Sequence, residues 1–209
     1  MGFDAVQLRL ATGLTGEDYV KHEAWKDARL PRCPVHPGGG CRLRRHGTYG
    51  RVEPAGTKVA RYYCPDAHQT FSLLPDCLAS RLSSTLVEVE EVALAVEQRR
   101  GTVVSVAERL RPDIETQGAL RWMRRRVWAV AATLVTLLGL RPDLLAGRRP
   151  TVQDFRAALC VDHALPALRE TAGSHLASLM PYVGFGPRVV RRARRRARRQ
   201  HGTGPDPPR

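Results

Sequence analysis

The sequence has 209 residues, of which 43% are hydrophobic, enough to bury a core in one ordinary domain or two small ones. This content excludes a chain that is disordered throughout. Basic residues number 34 and acidic residues 20, for a formal net charge of +14, which favours a polyanionic partner such as nucleic acid. The most apolar stretch, residues 127–140, is shorter than the roughly 20 residues of a membrane span, so we expect no membrane partner.

The cysteine content favours a reducing compartment. The chain has five cysteines, an odd number, and residues 1–30 show no signal-peptide pattern. Such usage fits metal-binding thiolates better than a disulfide framework. We therefore expect a cytoplasmic protein.

Before the first helical region, the sequence predicts a short extension and a hairpin. Residues 1–32 form an N-terminal extension with helical character around 17–29. Residues 33–78 have the pattern of strands and turns. Two short segments, 42–51 and 57–63, are joined through Pro54-Ala55-Gly56, and the alternation in the second segment is typical of a strand.

Helical spacing takes over after Pro75. The pattern predicts one helix from about Leu86 to Gly101 and a shorter one over 103–110. A long third helix, from about Thr116 to Leu138, has an apolar seam along its whole length. Outside the seam, its surface is basic in the first half and apolar in the second. Glu88, Glu90 and Glu91 of the first helix are interpreted as a solvated acidic face.

The C-terminal part of the sequence divides into a helical segment and a tail. Residues 141–187 are helical from about Val152 to Met180, with Thr151 as cap and an interruption at Pro166. Residues 188–209 form an arginine-rich tail that we expect to be disordered. The predicted fold class is α+β and mostly α: a small zinc-ribbon hairpin (33–78), a helix-turn-helix-like helical domain (79–140), the helical segment and the tail.

Candidate metal ligands lie at both ends of the predicted hairpin. Cys33 and His36 have the CxxH spacing of one ligand turn, and Cys64 and His68 can supply a second. Structural zinc takes four thiolate or imidazole ligands in a tetrahedron, and the glycines at 38–40 would allow Cys41 to fold back as a ligand. Two sets fit, Cys33, Cys41, Cys64 and His68, which we favour, or the same set with His36 in place of Cys41.

Four motifs lie between Cys33 and Asp76: Cys33-Pro34-Val35-His36, His46-Gly47-Thr48-Tyr49-Gly50-Arg51, Arg61-Tyr62-Tyr63-Cys64-Pro65 and Thr70-Phe71-Ser72-Leu73-Leu74-Pro75-Asp76. Together they resemble the amino-terminal zinc ribbon of bacterial insertion-sequence transposases and their short relatives, and the resemblance extends from Cys33 to about Leu140. Those ribbons have CxxC in both turns, where this chain has His36 in the first and Ala67, followed by His68, in the second.

The long helix is the candidate DNA reader. In a helix-turn-helix the second helix lies in the major groove and presents side chains to bases and phosphates. Here that helix begins near Thr116, and the arginine tail would add affinity through phosphate neutralisation. The candidate DNA-binding residues are Gln117, Arg121, Trp122, Arg124, Arg125 and Arg126 on the helix, and Arg191, Arg192, Arg194 and Arg195 in the tail.

These observations lead to a functional hypothesis without catalysis. The resembled transposases carry a large nuclease domain after the DNA reader, and the segment between Leu140 and Arg188 is too short for one. We therefore expect a non-enzymatic, transposon-related bacterial protein that binds duplex DNA, is nucleoid-associated and contains structural Zn²⁺. The alternative is a zinc-dependent module that binds RNA or a protein, including a homodimer through the long helix.

Overall fold

Four strands form one mixed sheet in the computed structural model, which describes residues 4–172. They are β1 (Asp4–Leu10), β2 (Arg44–Gly50), β3 (Lys58–Cys64) and β4 (Gln69–Pro75). The order across the sheet is β1-β4-β3-β2. Strand β3 pairs antiparallel with both β2 and β4, whereas β1 pairs parallel with β4. The predicted hairpin is confirmed as β2 and β3, and the sheet extends beyond it by two strands.

The N-terminal extension contributes more than the sequence indicated. Residues 4–10 form the edge strand β1, and its alternate residues Val6, Leu8 and Leu10 pack against the sheet core. Local pattern did not show this strand, because its one partner among residues 4–172 is β4, which is far away in sequence. A short helix follows, α1 (Gly16–Lys21), capped by the Thr15 side chain, which accepts from the backbone N–H of Asp18.

Six further helices follow the sheet in the described part of the chain. Three of them start at threonine caps, whose hydroxyls accept backbone N–H groups of the first turn. The first cap, Thr85, forms a reciprocal capping box with Glu88. The helices are α2 (Leu86–Glu97), α3 (Val103–Leu110), α4 (Thr116–Leu140), α5 (Pro142–Leu145), α6 (Val152–Leu159) and α7 (Ala164–Thr171).

The break in the C-terminal helical segment lies before Pro166, not at it. Helix α6 ends at Leu159, and Cys160 then adopts a left-handed conformation with φ 52°. Pro166 lies in the first turn of α7, where an N–H group has no intrahelical acceptor and its loss costs little. Residues 173–180 of the predicted helical region lie outside the described residues.

Helix α4 packs into two different apolar clusters along its length. Its first half, with Ala119, Leu120 and Met123, packs against α2 and α3. Its second half, from Ala129 to Leu137, joins a larger cluster with α2, α6 and α7. A separate cluster on the sheet includes Ala60, Tyr62, Phe71 and Leu73 together with the buried thiols of Cys33 and Cys64.

Arginine side chains fix the segment between β4 and α2. The guanidinium of Arg51, the residue that follows β2, donates to the carbonyls of Ala79 and Leu82. Arg169 of α7 donates to the carbonyl of Leu78 at 2.7 Å. These bonds satisfy carbonyls that lie outside regular structure, so the segment connects the sheet to the helices through defined contacts.

Candidate metal site and basic helix

Three thiols and one imidazole converge at one end of the sheet. Their ligand atoms, the sulfurs of Cys33, Cys41 and Cys64 and a ring nitrogen of His36, all lie within 4.8 Å of one another. Cys33 and Cys64 are buried, whereas His36 and Cys41 are half-buried. This donor set can bind a metal ion.

A tight turn and two glycines bring three of the four residues together. The backbone N–H of His36 donates to the Cys33 carbonyl at 3.1 Å, and the N–H of Gly39 donates to the His36 carbonyl at 3.0 Å. Gly39 and Gly40 have φ values of 85° and 81°, a region that glycine adopts without steric cost. The chain therefore reverses between His36 and Cys41.

The third thiol comes from the sheet. Cys64 is the last residue of β3 and is fully buried. Beyond it, the Asp66 carboxylate accepts from the backbone N–H of Arg42 at 2.8 Å and from its guanidinium at 3.0 Å. These bonds lower the pKa of Asp66. They also join Arg42, the residue after Cys41, to Asp66 in the turn after Cys64.

The sulfur–nitrogen distances match the edges of a zinc tetrahedron. The His36 Nδ1 atom lies 3.5 Å from the Cys33 sulfur and 3.6 Å from the Cys64 sulfur. A tetrahedron with Zn–S of about 2.3 Å and Zn–N of about 2.05 Å has S···N edges of about 3.6 Å. The donor set and these two distances therefore fit zinc.

The environment of Cys33 favours its thiolate form. Desolvation opposes ionisation, but hydrogen bonds from the His36 side chain, the backbone of Val35 and His36, and Cys64 outweigh it and lower the pKa of Cys33 to about 7. For Cys41, desolvation is the largest effect and raises the pKa. Metals bind the thiolate, so Cys33 is better prepared for a metal than Cys41.

The structure corrects the ligand set in one respect. His36 and Cys41, which the sequence presented as alternatives, both belong to the group, and His68 does not. His68 is exposed in the turn between β3 and β4, with φ 50° and its N–H bonded to the Pro65 carbonyl. The CxxH spacing of Cys33 and His36 was the signal for the histidine ligand.

Four of the predicted DNA-binding residues share the exposed face of α4. Gln117, Arg121, Arg124 and Arg125 are all exposed, and their spacing of three and four residues places them along one side of the helix. Arg121 lies 3.5 Å from the carboxylate of Glu115, in a pair whose side chains are both more than two-thirds exposed. Such a pair contributes little to stability, so the arginine can exchange partners.

The structure removes Arg126 from this face. It is 3% exposed, and its guanidinium donates to the Ser84 hydroxyl at 3.2 Å. Burial lowers the pKa of Arg126. Trp122 is half-buried, and two guanidinium groups lie over its ring, that of Arg126 at 4.1 Å and that of Arg111 at 5.1 Å from the ring centroid. The buried position of Arg126 contradicts its predicted contact with DNA, whereas the predicted contact of Trp122 stays a prediction.

The predicted contacts in the tail, Arg191, Arg192, Arg194 and Arg195, lie outside the described residues. Within residues 4–172, no helix has both the length and the apolar character needed to cross a membrane. Comparisons with protein-family models, curated proteins and solved structures found no match.

Proposed function

We propose that this chain is a non-enzymatic protein that binds duplex DNA through α4 and is stabilised by a structural zinc ion. The observation that carries the proposal is the division of α4 into two faces. One face, with Ala119 and Met123, is anchored in the core, and the opposite face exposes Arg121, Arg124 and Arg125. Arginine binds guanine edges and phosphate oxygens through paired N–H donors.

The helices around α4 support a helix-turn-helix interpretation. Helix α3 packs beside α4, and residues 111–115 connect the two. The Glu108 carboxylate at the end of α3 accepts from the Thr116 hydroxyl at 2.7 Å, which fixes the start of α4 against its neighbour. In this motif the second helix enters the major groove, so α4 would present its basic face to the bases.

The zinc would have a structural role. Cys33, His36, Cys41 and Cys64 supply four protein ligands, and a catalytic zinc site keeps one position open for water or substrate. Bound zinc would cross-link the loop over residues 33–41 to the end of β3. The resemblance to transposase ribbons is the reason to choose the ends of insertion elements as first DNA targets.

The second half of α4 favours a second function, association with a protein partner. Trp128 is 61% exposed and Val135 is 56% exposed. They are seven positions apart, about two helical turns, so they lie on the same side of the helix. Exposed apolar residues grouped in this way are typical of an interface. A homodimer through this half of α4 is compatible with DNA binding through the first half.

Binding to labelled duplexes and single-stranded RNA across a salt series tests the proposal. We expect duplex binding that weakens steeply with salt and is lost when Arg121, Arg124 and Arg125 are replaced by alanine. A control variant with Lys21, Arg29 and Arg148 replaced by alanine removes the same charge from other exposed positions. Binding to RNA alone, or equal loss in both variants, would contradict recognition through α4.

A further inference from the structure

A cleft between the end of α2 and helix α3 gathers three arginines. Its volume is about 320 Å³, and Arg99, Arg100 and Arg109 line it together with Gln98. Leu94 and Ala95 of α2 contribute apolar surface. The side chains thus offer many N–H donors beside a small hydrophobic area.

The turn between the two helices brings these arginines together. Arg99 and Arg100 directly follow α2, and Gly101, with φ 104°, allows the chain to reverse into α3. Arg109 lies in the last turn of α3. Residues that are ten positions apart in sequence therefore line one cleft.

The cleft has an excess of positive charge. Glu91 is the acidic residue among those that line it. Its carboxylate already accepts from the Arg156 guanidinium at 2.5 Å and lies 3.7 Å from the His163 ring. Arg99 donates to the Val96 carbonyl at 2.9 Å, which uses one of the five N–H donors of a guanidinium. Glu91 is thus already paired outside the cleft, and most N–H donors of the three arginines are not paired with it.

We propose that this cleft binds a backbone phosphate of the duplex that α4 contacts. Guanidinium groups bind phosphate oxygens in pairs of parallel hydrogen bonds, and the apolar surface of Leu94 and Ala95 can pack against the adjacent sugar. This inference rests on the proposed function. It adds a phosphate contact that positions the protein on the duplex without reading the base sequence.

Helix α3 connects the cleft to the start of α4. Helix α3 has eight residues and is therefore roughly 12 Å long, about the width of the major groove. Its far end contacts the start of α4 through the hydrogen bond between Glu108 and Thr116 and the stacking of Arg111 on Trp122. Arg109 follows Glu108 in the last turn of α3, so one side of the cleft adjoins the contact between α3 and α4.

Duplex binding by the full chain with Arg99, Arg100 and Arg109 replaced by alanine tests this inference. The slope of log K against log salt should become less steep by about 1, the value for one phosphate. The preference between two duplex sequences should not change, because phosphate contacts carry no direct sequence information. The variant with Lys21, Arg29 and Arg148 replaced by alanine should keep the original slope.

The outcomes separate this inference from the proposed function. If the unmodified chain does not bind duplex DNA at low salt, both are overturned. If it binds, and the cleft variant keeps the slope of the control variant, only the phosphate cleft is overturned. The three positions are exposed, so the variants should fold, and glutamine replacements at the same positions, checked by circular dichroism, must give the same change in slope.

Discussion

Neighbouring arginines of α4 have opposite roles that their sequence run conceals. Arg124 and Arg125 are exposed, whereas Arg126 is buried. The helical period contained a signal for this difference, since Arg126 follows Met123 by three residues and precedes Val130 by four, and both of these are core residues. What the period could not show is the polar partner, because Ser84 precedes α2 and is remote in sequence.

Replacing Arg126 by alanine should lower the free energy of unfolding by about 2 kcal/mol. The change removes a buried hydrogen bond to Ser84 and the stacking on Trp122, each of which contributes on the order of 1 kcal/mol. Urea unfolding followed by circular dichroism measures the effect. The matched change Arg124→Ala should alter stability by less than about 0.5 kcal/mol, and equal losses for the two variants would contradict the buried role.

The two histidines that flank the hairpin should differ in metal binding. His36→Ala removes a ring nitrogen that lies 3.5 Å and 3.6 Å from two sulfurs. Removing a group that only hydrogen-bonds to a metal ligand lowers metal affinity by about 10- to 100-fold. Removing a ligand itself should therefore lower zinc affinity by more than about 100-fold. Competition with a chromophoric chelator measures zinc affinity.

His68→Ala is the control for this experiment, because His68 is exposed in the neighbouring turn. We expect the zinc affinity of the His68→Ala variant to equal that of the unmodified protein. A loss confined to His68→Ala would restore the ligand set that the sequence favoured and overturn the one that the structure groups.

At the scale of elements, a single buried carboxylate caps the start of α7. Glu90 of α2 is fully buried and accepts from the Arg156 guanidinium at 2.6 Å. It also accepts from the first backbone N–H groups of α7, those of Ala164 and Leu165, at 2.8 Å and 2.6 Å. The carboxylate thus caps a helix more than 70 residues away in sequence. The interpretation of the glutamates as a solvated face was wrong for Glu90, since its partners are distant.

Glu90→Gln should therefore destabilise the protein by about 3 kcal/mol. The substitution keeps the size of the side chain but removes a charge that compensates Arg156 and the start of α7, and breaking a buried ion pair costs roughly 3–5 kcal/mol. The glutamine oxygen can still accept one hydrogen bond, which places the loss at the lower end. Glu91→Gln, at a side chain that is 49% exposed, should cost much less in the same denaturant titration.

The elements that the sequence predicted well are those defined by local pattern. The β2–β3 hairpin shows strand alternation around a turn, and α4 shows its apolar seam over seven turns. Strand β1 and the break at Cys160 depend on contacts with remote residues or on one backbone conformation, so local pattern was insufficient. The same distinction applies to the metal site: spacing identified the cysteines, but only the path of the loop includes both His36 and Cys41.

At the scale of the whole molecule, the sheet and the helices are connected by hydrogen bonds through one serine. The Ser84 hydroxyl donates to the Glu53 carboxylate at 2.9 Å and accepts from Arg126 at 3.2 Å. Glu53 belongs to the loop between β2 and β3, and Arg126 to α4. The loop of the hairpin is thereby fixed against the helix that we propose as the DNA reader. The hairpin, with the candidate metal site at its other end, and α4 therefore belong to one connected framework.

The distribution of charge predicts that affinity and sequence preference for DNA can be separated. Eight of the fourteen net positive charges come from arginines between Arg188 and Arg199, and the exposed arginines of α4 are elsewhere in the chain. Replacing those eight arginines by glutamine in the full chain should make the slope of log K against log salt less steep by up to roughly 7, because each phosphate contact contributes about 0.9.

The ratio of affinities for two duplex sequences should remain the same in that variant, because phosphate neutralisation does not read bases. Fluorescence anisotropy with two labelled duplexes at four salt concentrations gives both quantities. Loss of the sequence preference with an unchanged slope would mean that residues 188–199 read the bases, and it would transfer the recognition role away from Arg121, Arg124 and Arg125. Retention of the preference with a reduced slope would assign non-specific affinity to the tail and leave the reading of bases to α4.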